Sequence, residues 1–131
     1  MMRYTSGFCE ANGIDIHYLR AGGHKPPLVL LHGLAGNGAG ALREANGAAR
    51  TMAQFVDPSQ KGPVVELGPG TGAITNALIE RGVDPAQLVL VEYDPGFCAL
   101  LRDRYPSATV IQGDAYSLQT SLWNVLKIPA S

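Results

Sequence analysis

The sequence has only two cysteines among its 131 residues. Cys9 and Cys98 lie far apart, in neither metal-ligand nor redox spacing. A disulfide framework and a thiolate metal site are thereby excluded, and the chain reads as a reduced, cytoplasmic protein in which neither thiol is a nucleophile. Charge is scarce as well. Charged residues make up 16% of the chain and the formal net charge is -1, so there is no basic surface to neutralise phosphates and no nucleic-acid partner is expected. Arg102 and Arg104 flank Asp103 on one helical stretch and read as a solvated face. No apolar run approaches the roughly 18 residues of a spanning helix, and Met1 to Phe8 has no charged-then-apolar leader pattern, so no membrane partner is expected either.

What the chain does have is hydrophobic patterning. With 46% hydrophobic residues over 131 positions, its size and composition fit one folded domain. Phe8 to Ala11 and Ile14 to Leu19 are β-prone runs around Asn12-Gly13, a dipeptide that suits the positive φ angles of a tight hairpin. Ile14, Ile16 and Tyr18 alternate with Asp15, His17 and Leu19, which turns His17 outward. Leu28 to Leu31 is a continuous apolar run, the mark of a strand buried on both faces. Leu34 to Gly40 has no periodicity and reads as a loop. From Leu42 the residues Leu42, Ala45, Ala49, Met52 and Val56 recur at helical steps, a pattern that Asp57-Pro58-Ser59 closes.

Strand and helix then alternate. Val64 to Leu67 is a strand, Ala73 to Glu80 a helix ended by Gly82, and Leu88 to Val91 a second strand. Pro95 opens a helix expected to turn Phe97, Leu100 and Leu101 inward, and Thr109 to Ile111 is a third strand. Ser117 to Leu126 carries Leu118, Leu122 and Val125 at helical spacing. This alternation predicts an α/β fold, a three-layer Rossmann-like and mostly parallel sheet with an N-terminal β-hairpin, in a single domain.

The chemistry is concentrated where strands end. Val64-Val65-Glu66-Leu67-Gly68-Pro69-Gly70-Thr71-Gly72 passes from a strand through three glycines into a helix. Gly68 and Gly70 permit a tight turn with close approach of a ligand to the backbone, and Gly72 permits close helix-on-strand packing. Roughly 20 residues beyond, Glu92 stands at the tip of the next strand, where a carboxylate accepts bonds from ribose hydroxyls. Gln112-Gly113-Asp114-Ala115 follows the third strand and brings Asp114 to the same edge, in reach of an adenine amino group. Tyr93 would flank the base and Ala115 would offer its backbone N–H, although Tyr93 reads almost equally well as a packing residue. A nucleoside-type small molecule is the expected ligand.

On Val65-Glu66-Leu67-Gly68-Pro69-Gly70-Thr71-Gly72, Val91-Glu92-Tyr93-Asp94-Pro95 and Gly113-Asp114-Ala115, residues 41–126 resemble the front half of a class I S-adenosylmethionine-dependent methyltransferase. Phospholipid N-methyltransferases and ribosomal RNA adenine dimethyltransferases are the nearest in pattern. The resemblance implies S-adenosylmethionine as cofactor, with Glu66 and the loop from Gly68 through Thr71 to Gly72 around its amino-acid moiety, Glu92 on the ribose and Asp114 on the adenine. It also implies a fourth strand with a catalytic motif that this sequence does not continue into, so binding without turnover is expected.

The front of the chain has a different pattern. Phe8-Cys9-Glu10-Ala11-Asn12-Gly13-Ile14, His17-Tyr18 and the run from Pro26 through His32-Gly33-Leu34 to Asn37 resemble the start of an α/β-hydrolase. That resemblance would give the Leu34 backbone N–H an oxyanion-hole role. No Gly-x-Ser-x-Gly nucleophile elbow occurs anywhere, so hydrolysis is excluded and His17, His24 and His32 form no triad. Residues 2–38 and 41–131 therefore read as two parts of a chimeric single domain spanning 1–131.

The strands are expected in the order Val110, Val89, Val65, Val29, Ile16, Cys9, all parallel except the Ile16 strand, with a reversal between Val29 and Val65 opening a ligand crevice that Gly33 to Asn37 would border. A sheet edge left open would favour a homodimer. Two further readings stay open. One is a purely structural chimera with no ligand, and the other is a methyltransferase completed by a second chain.

Overall fold

Runs of apolar and β-branched residues long enough for a strand but too short for a helix build the central sheet. The computed structural model describes residues 4–11, 14–21, 29–32 and 47–114. Strand β1 (Tyr4–Ala11) and strand β2 (Ile14–Ala21) are followed by β3 (Val29–His32), the helical residues 47–53 (α1) and β4 (Val64–Leu67). Helix α2 (Ala73–Arg81), a single 3-10 turn at Pro85–Gln87, β5 (Leu88–Glu92), helix α3 (Pro95–Arg104) and β6 (Thr109–Gln112) complete the described chain. The loop expected after His32, the start of the Leu42 helix pattern, Ala115 and the Ser117 to Leu126 pattern lie outside the described residues.

Strands β3 to β6 form one parallel sheet in the order β3-β4-β5-β6, with Val29 opposite Val64, Val65 opposite Val89 and Val89 opposite Thr109. The mostly parallel, Rossmann-like α/β fold with an N-terminal hairpin is therefore what the chain adopts, and the Val29 strand does lie beside the Val65 strand.

Two expectations about the order do not hold. The Ile16 strand does not continue the sheet: among the described residues β1 and β2 pair with each other, from Tyr4 opposite Ala21 to Ala11 opposite Ile14, as a separate antiparallel sheet. A two-residue connection brings these strands together with little loop entropy to lose, so local pairing satisfies both ladders. Nor does the order reverse between Val29 and Val65, because every strand of the sheet pairs with the next in sequence. All crossovers step the same way, so no switch-point crevice arises and a ligand hollow has to come from the loops at the carboxyl ends of the strands.

Strand β5 is buried along its whole length, as a central parallel strand covered on both faces must be. Leu88 and Leu90 join Val64, Ala49, Ala53, Val56, Ile74, Ala77, Leu78, Leu101 and Tyr105 in the core between sheet and helices, while Val65, Val89 and Val91 form a second cluster with Leu67 and Ile111. Ala49 and Val56 of the predicted α1 face are buried as the spacing requires. Past α1, the Asp57 carboxylate accepts bonds from the Ser59 amide (2.9 Å) and hydroxyl (2.7 Å), a side-chain turn that supports a non-helical path.

Helix α2 ends as its glycine predicts. Gly82 takes φ 111, and the Gly82 and Val83 amides donate to Ile79 and Leu78, the double bond that closes a helix on a left-handed residue. Helix α3 starts at Pro95 with Asp94 as its cap, the Asp94 carboxylate accepting from the Phe97 amide at 2.8 Å. Its inward face differs from expectation. Cys98, Leu101 and Tyr105 are buried, whereas Phe97 and Leu100 are exposed. The inward stripe thus follows steps of three and four from Cys98, and Phe97 and Leu100 lie on the flank.

Leu101→Ala is expected to cost about 3 kcal/mol through cavity formation and Leu100→Ala less than about 1 kcal/mol, read from urea unfolding. Equal losses at the two positions would contradict the facing described here.

Candidate functional site

The loops after β4, β5 and β6 converge on one edge of the sheet. After β4 the chain turns through Gly68 (φ 68), Gly70 (φ 57) and Gly72 (φ 93), all in the left-handed region. Any side chain would be strained there. Among the described residues an added Cβ at Gly68 or Gly70 would meet nothing within 4 Å, which suits close approach of a ligand to the backbone.

Glu92, at the end of β5, holds this loop. Its Oε1 accepts from the Gly70 amide at 2.9 Å and its Oε2 from the Asp94 amide at 2.9 Å. The Glu92 carbonyl accepts from the Gly113 amide at 2.9 Å and from Cys98 Sγ at 3.3 Å. Burial pushes the Cys98 thiol above its ordinary range, so it packs and donates there rather than acting as a thiolate. Glu92 thus ties together the glycine loop, the start of α3 and the turn after β6 that leads to Asp114.

The amides of the three loop glycines are engaged by protein acceptors. The Gly68 amide donates to the Val91 carbonyl (2.8 Å), that of Gly70 to Glu92 and that of Gly72 to the Pro69 carbonyl (2.9 Å). A phosphate-cradling loop works the other way, with free amides aimed at the anion.

Glu66 lies beneath the loop rather than on its surface. It is 1% exposed, and its Oε1 accepts from the Thr75 hydroxyl of α2 at 2.6 Å. Burial raises its carboxyl from an ordinary 4.5 to about 7, opposed by the Thr75 bond and reinforced by the nearby Glu92 charge. Tyr93 is exposed at the same edge, as are Thr71 and Asp114. Ala115 lies outside the described residues. The structure therefore brings Glu66, Gly68, Gly70, Thr71, Gly72, Glu92, Tyr93 and Asp114 to one end of the sheet.

Sequence reasoning missed four neighbours. Asp94 caps α3 and gives its amide to Glu92, a role the Asp-Pro signal could have revealed. Thr75 is the partner of Glu66. Arg104, read as part of a solvated face, donates from Nη1 to the Thr71 carbonyl at 2.9 Å. Tyr105, on the buried stripe of α3, hydrogen-bonds Asn76 and places its hydroxyl 2.9 Å from where a Gly72 Cβ would stand. Among the described residues no group of three or more histidine, cysteine, aspartate or glutamate side chains could hold a metal ion, and no helix is long and apolar enough to cross a membrane.

Comparison with known proteins places this geometry. The family model described as ribosomal RNA adenine dimethylase matches residues 46–127. Ribosomal RNA small subunit methyltransferase A of Hydrogenobaculum sp. (strain Y04AAS1) is 34% identical over 80 residues, which is 61% of this chain and 31% of that protein. The same-named protein of Chlorobium chlorochromatii (strain CaD3) is 40% identical over 58 residues, 44% of this chain and 21% of the relative. Ornithine lipid N-methyltransferase of Singulisphaera acidiphila is 34% identical over 73 residues, 53% of this chain and 38% of the relative. The matched segments thus span well under half of these relatives. No solved structure matches. The expectation of no nucleic-acid partner is corrected by those relatives that are named as ribosomal RNA methyltransferases. A low net charge describes the whole chain and does not report how a local surface meets RNA.

The Glu66 carboxyl gives a signed prediction. Its folded value lies above its ordinary one, so its contribution to stability is fully present below about 4.5 and is lost as pH rises through about 7. Glu66→Gln, which cannot ionise, should gain up to roughly 3 kcal/mol relative to the parent between about pH 5 and about pH 8, measured by urea unfolding. A difference that does not vary with pH would contradict the burial of an ionisable carboxyl here.

Proposed function

The chain belongs to the ribosomal RNA adenine dimethylase family, and from that premise we propose that the hollow at the carboxyl end of its sheet binds S-adenosylmethionine as a methyl donor. The observation that carries this reading is the bond from the Gly70 amide to Glu92, which joins the glycine turn and the strand-end carboxylate across 22 residues of sequence. The donor set favours it. Glu66, Glu92 and Asp114 are acidic, and the amides of Gly68, Gly70 and Gly72 are already engaged by protein acceptors. A phosphate would find repulsion there, whereas a ligand with an ammonium, a sulfonium and ribose hydroxyls would find acceptors.

In this reading Glu92 receives the ribose hydroxyls. Each of its oxygens accepts one backbone bond, and a carboxylate oxygen has room for a second. The amino-acid end of the donor lies along Gly68, Gly70, Thr71 and Gly72, with the Glu66 charge beneath. Asp114 takes the adenine amino group, Ala115 supplies a backbone N–H and Tyr93 covers the base. Once bound, the donor supplies an electrophilic methyl on a cationic sulfur. The names of the family and of most relatives make an adenine of ribosomal RNA the proposed acceptor. The hydrolase-like front segment enters through β3, which lengthens the sheet beside β4.

Isothermal titration with S-adenosylhomocysteine tests the donor site. Binding is expected for the parent, weakened about tenfold or more in Glu92→Ala, because a charge-assisted bond contributes about 1.5 to 3 kcal/mol. A parent that takes up no ligand would leave only a ligand-free α/β scaffold.

A further inference from the structure

Three consecutive residues of the glycine loop are gripped by one later unit of the chain. The Gly70 amide donates to Glu92 at the end of β5 (2.9 Å), and the Thr71 carbonyl accepts from Arg104 at the end of α3 (2.9 Å). Gly72 has the Tyr105 ring against it: a Cβ there would stand 2.9 Å from the hydroxyl and 3.3 Å from Cε2. The same hydroxyl bonds Asn76 in the first turns of α2, so the loop and the helix it enters are fixed by one side chain. Tyr105 is itself anchored, with its amide on the Leu101 carbonyl (2.8 Å) and its carbonyl accepting from Ala108 (3.0 Å).

Tyr105 also packs in the core, while its hydroxyl and the Arg104 guanidinium act on the loop and the helix it enters. Helix α2 has Gly72 as its N-cap residue and no side-chain cap, and loop glycines in the left-handed region have many alternatives in the unfolded and loosened states. The loop is thus held in one shape from outside, by residues that follow it by 22 to 33 positions.

We propose that the unit β5–α3 is a clamp on the glycine loop, with Arg104 and Tyr105 as positioning residues for the amino-acid end of the methyl donor. This rests on the reading of the hollow as a donor site. Neither residue touches the ligand. They preset the path of Thr71 and Gly72, so that binding does not have to order the loop. Glu92 holds the other side of the same turn and contacts the nucleoside. The clamp therefore bears on one end of the ligand more than the other.

The test compares two ligands on the parent, Tyr105→Phe, Arg104→Met and the double variant. S-adenosylhomocysteine has both the nucleoside and the amino-acid end, while methylthioadenosine has the nucleoside alone. The double variant is expected to bind S-adenosylhomocysteine about tenfold more weakly and methylthioadenosine within about twofold of the parent, as loss of preorganisation at one end requires. In the ligand-free protein its Gly70 to Gly72 amides should exchange faster, with β5 amides unchanged. Parallel weakening of both ligands would assign the two residues to general stability and overturn the clamp. Unchanged binding in the variants would overturn it while leaving the donor site standing. A parent that binds neither ligand would remove the donor site and the clamp together.

Discussion

The arrangement of this sheet edge depends on one buried carboxylate. Glu92 is 8% exposed and sends one oxygen to the Gly70 amide and the other to the Asp94 amide. A carboxylate in such a place is stable only when its oxygens are met by donors. Here the donors are two stretches of backbone that would otherwise choose their own conformations. With Gly113 and Cys98 on its carbonyl, Glu92 fixes where the glycine turn sits, where α3 begins and where the chain leaves β6. Three loops are thus held together at one edge of the sheet by one residue.

The second carboxylate works differently. Glu66 is buried beneath the loop with a hydroxyl as its partner and, among the described residues, no cationic side chain that offsets it. An uncompensated buried charge opposes folding, and a raised carboxyl is the ordinary response. A site that held only phosphate would gain nothing from it. A cationic ligand above it would supply the missing counter-charge, which gives a physical reason for an otherwise costly residue to stand there.

Much of this was legible in the sequence, and what was not has physical causes. The strands at Val29, Val65, Val89 and Val110 and the turn from Gly68 to Gly72 follow from apolar runs and glycine spacing, signals local to each segment. The pairing of β3 with β4 follows as well, since two apolar runs buried on both faces suit adjacent places in a parallel sheet. The hairpin's failure to join the sheet was not legible, since alternation along β2 specifies a face but not a neighbour. Phe97 and Leu100 illustrate a finer limit: with Leu101 they share one helix face at steps of three and four, but burial of Cys98 and Tyr105 rotates the inward stripe so that only Leu101 of the three is covered. Arg104 and Tyr105 were invisible as site residues because their partners, Thr71 and Asn76, lie about 30 positions earlier. No local pattern carries a contact of that span.

The central claim is that Glu92 gathers the glycine turn and the turn after β6 around one nucleoside-binding hollow. Backbone amide chemical shifts followed by NMR during titration with S-adenosylhomocysteine measure this most directly. The account predicts that the Gly70, Asp94 and Gly113 amides shift together along one saturation curve, ahead of the amides of β1 and β2. Shifts confined to the hairpin, or a Gly70 resonance that stays still while others saturate, would contradict it.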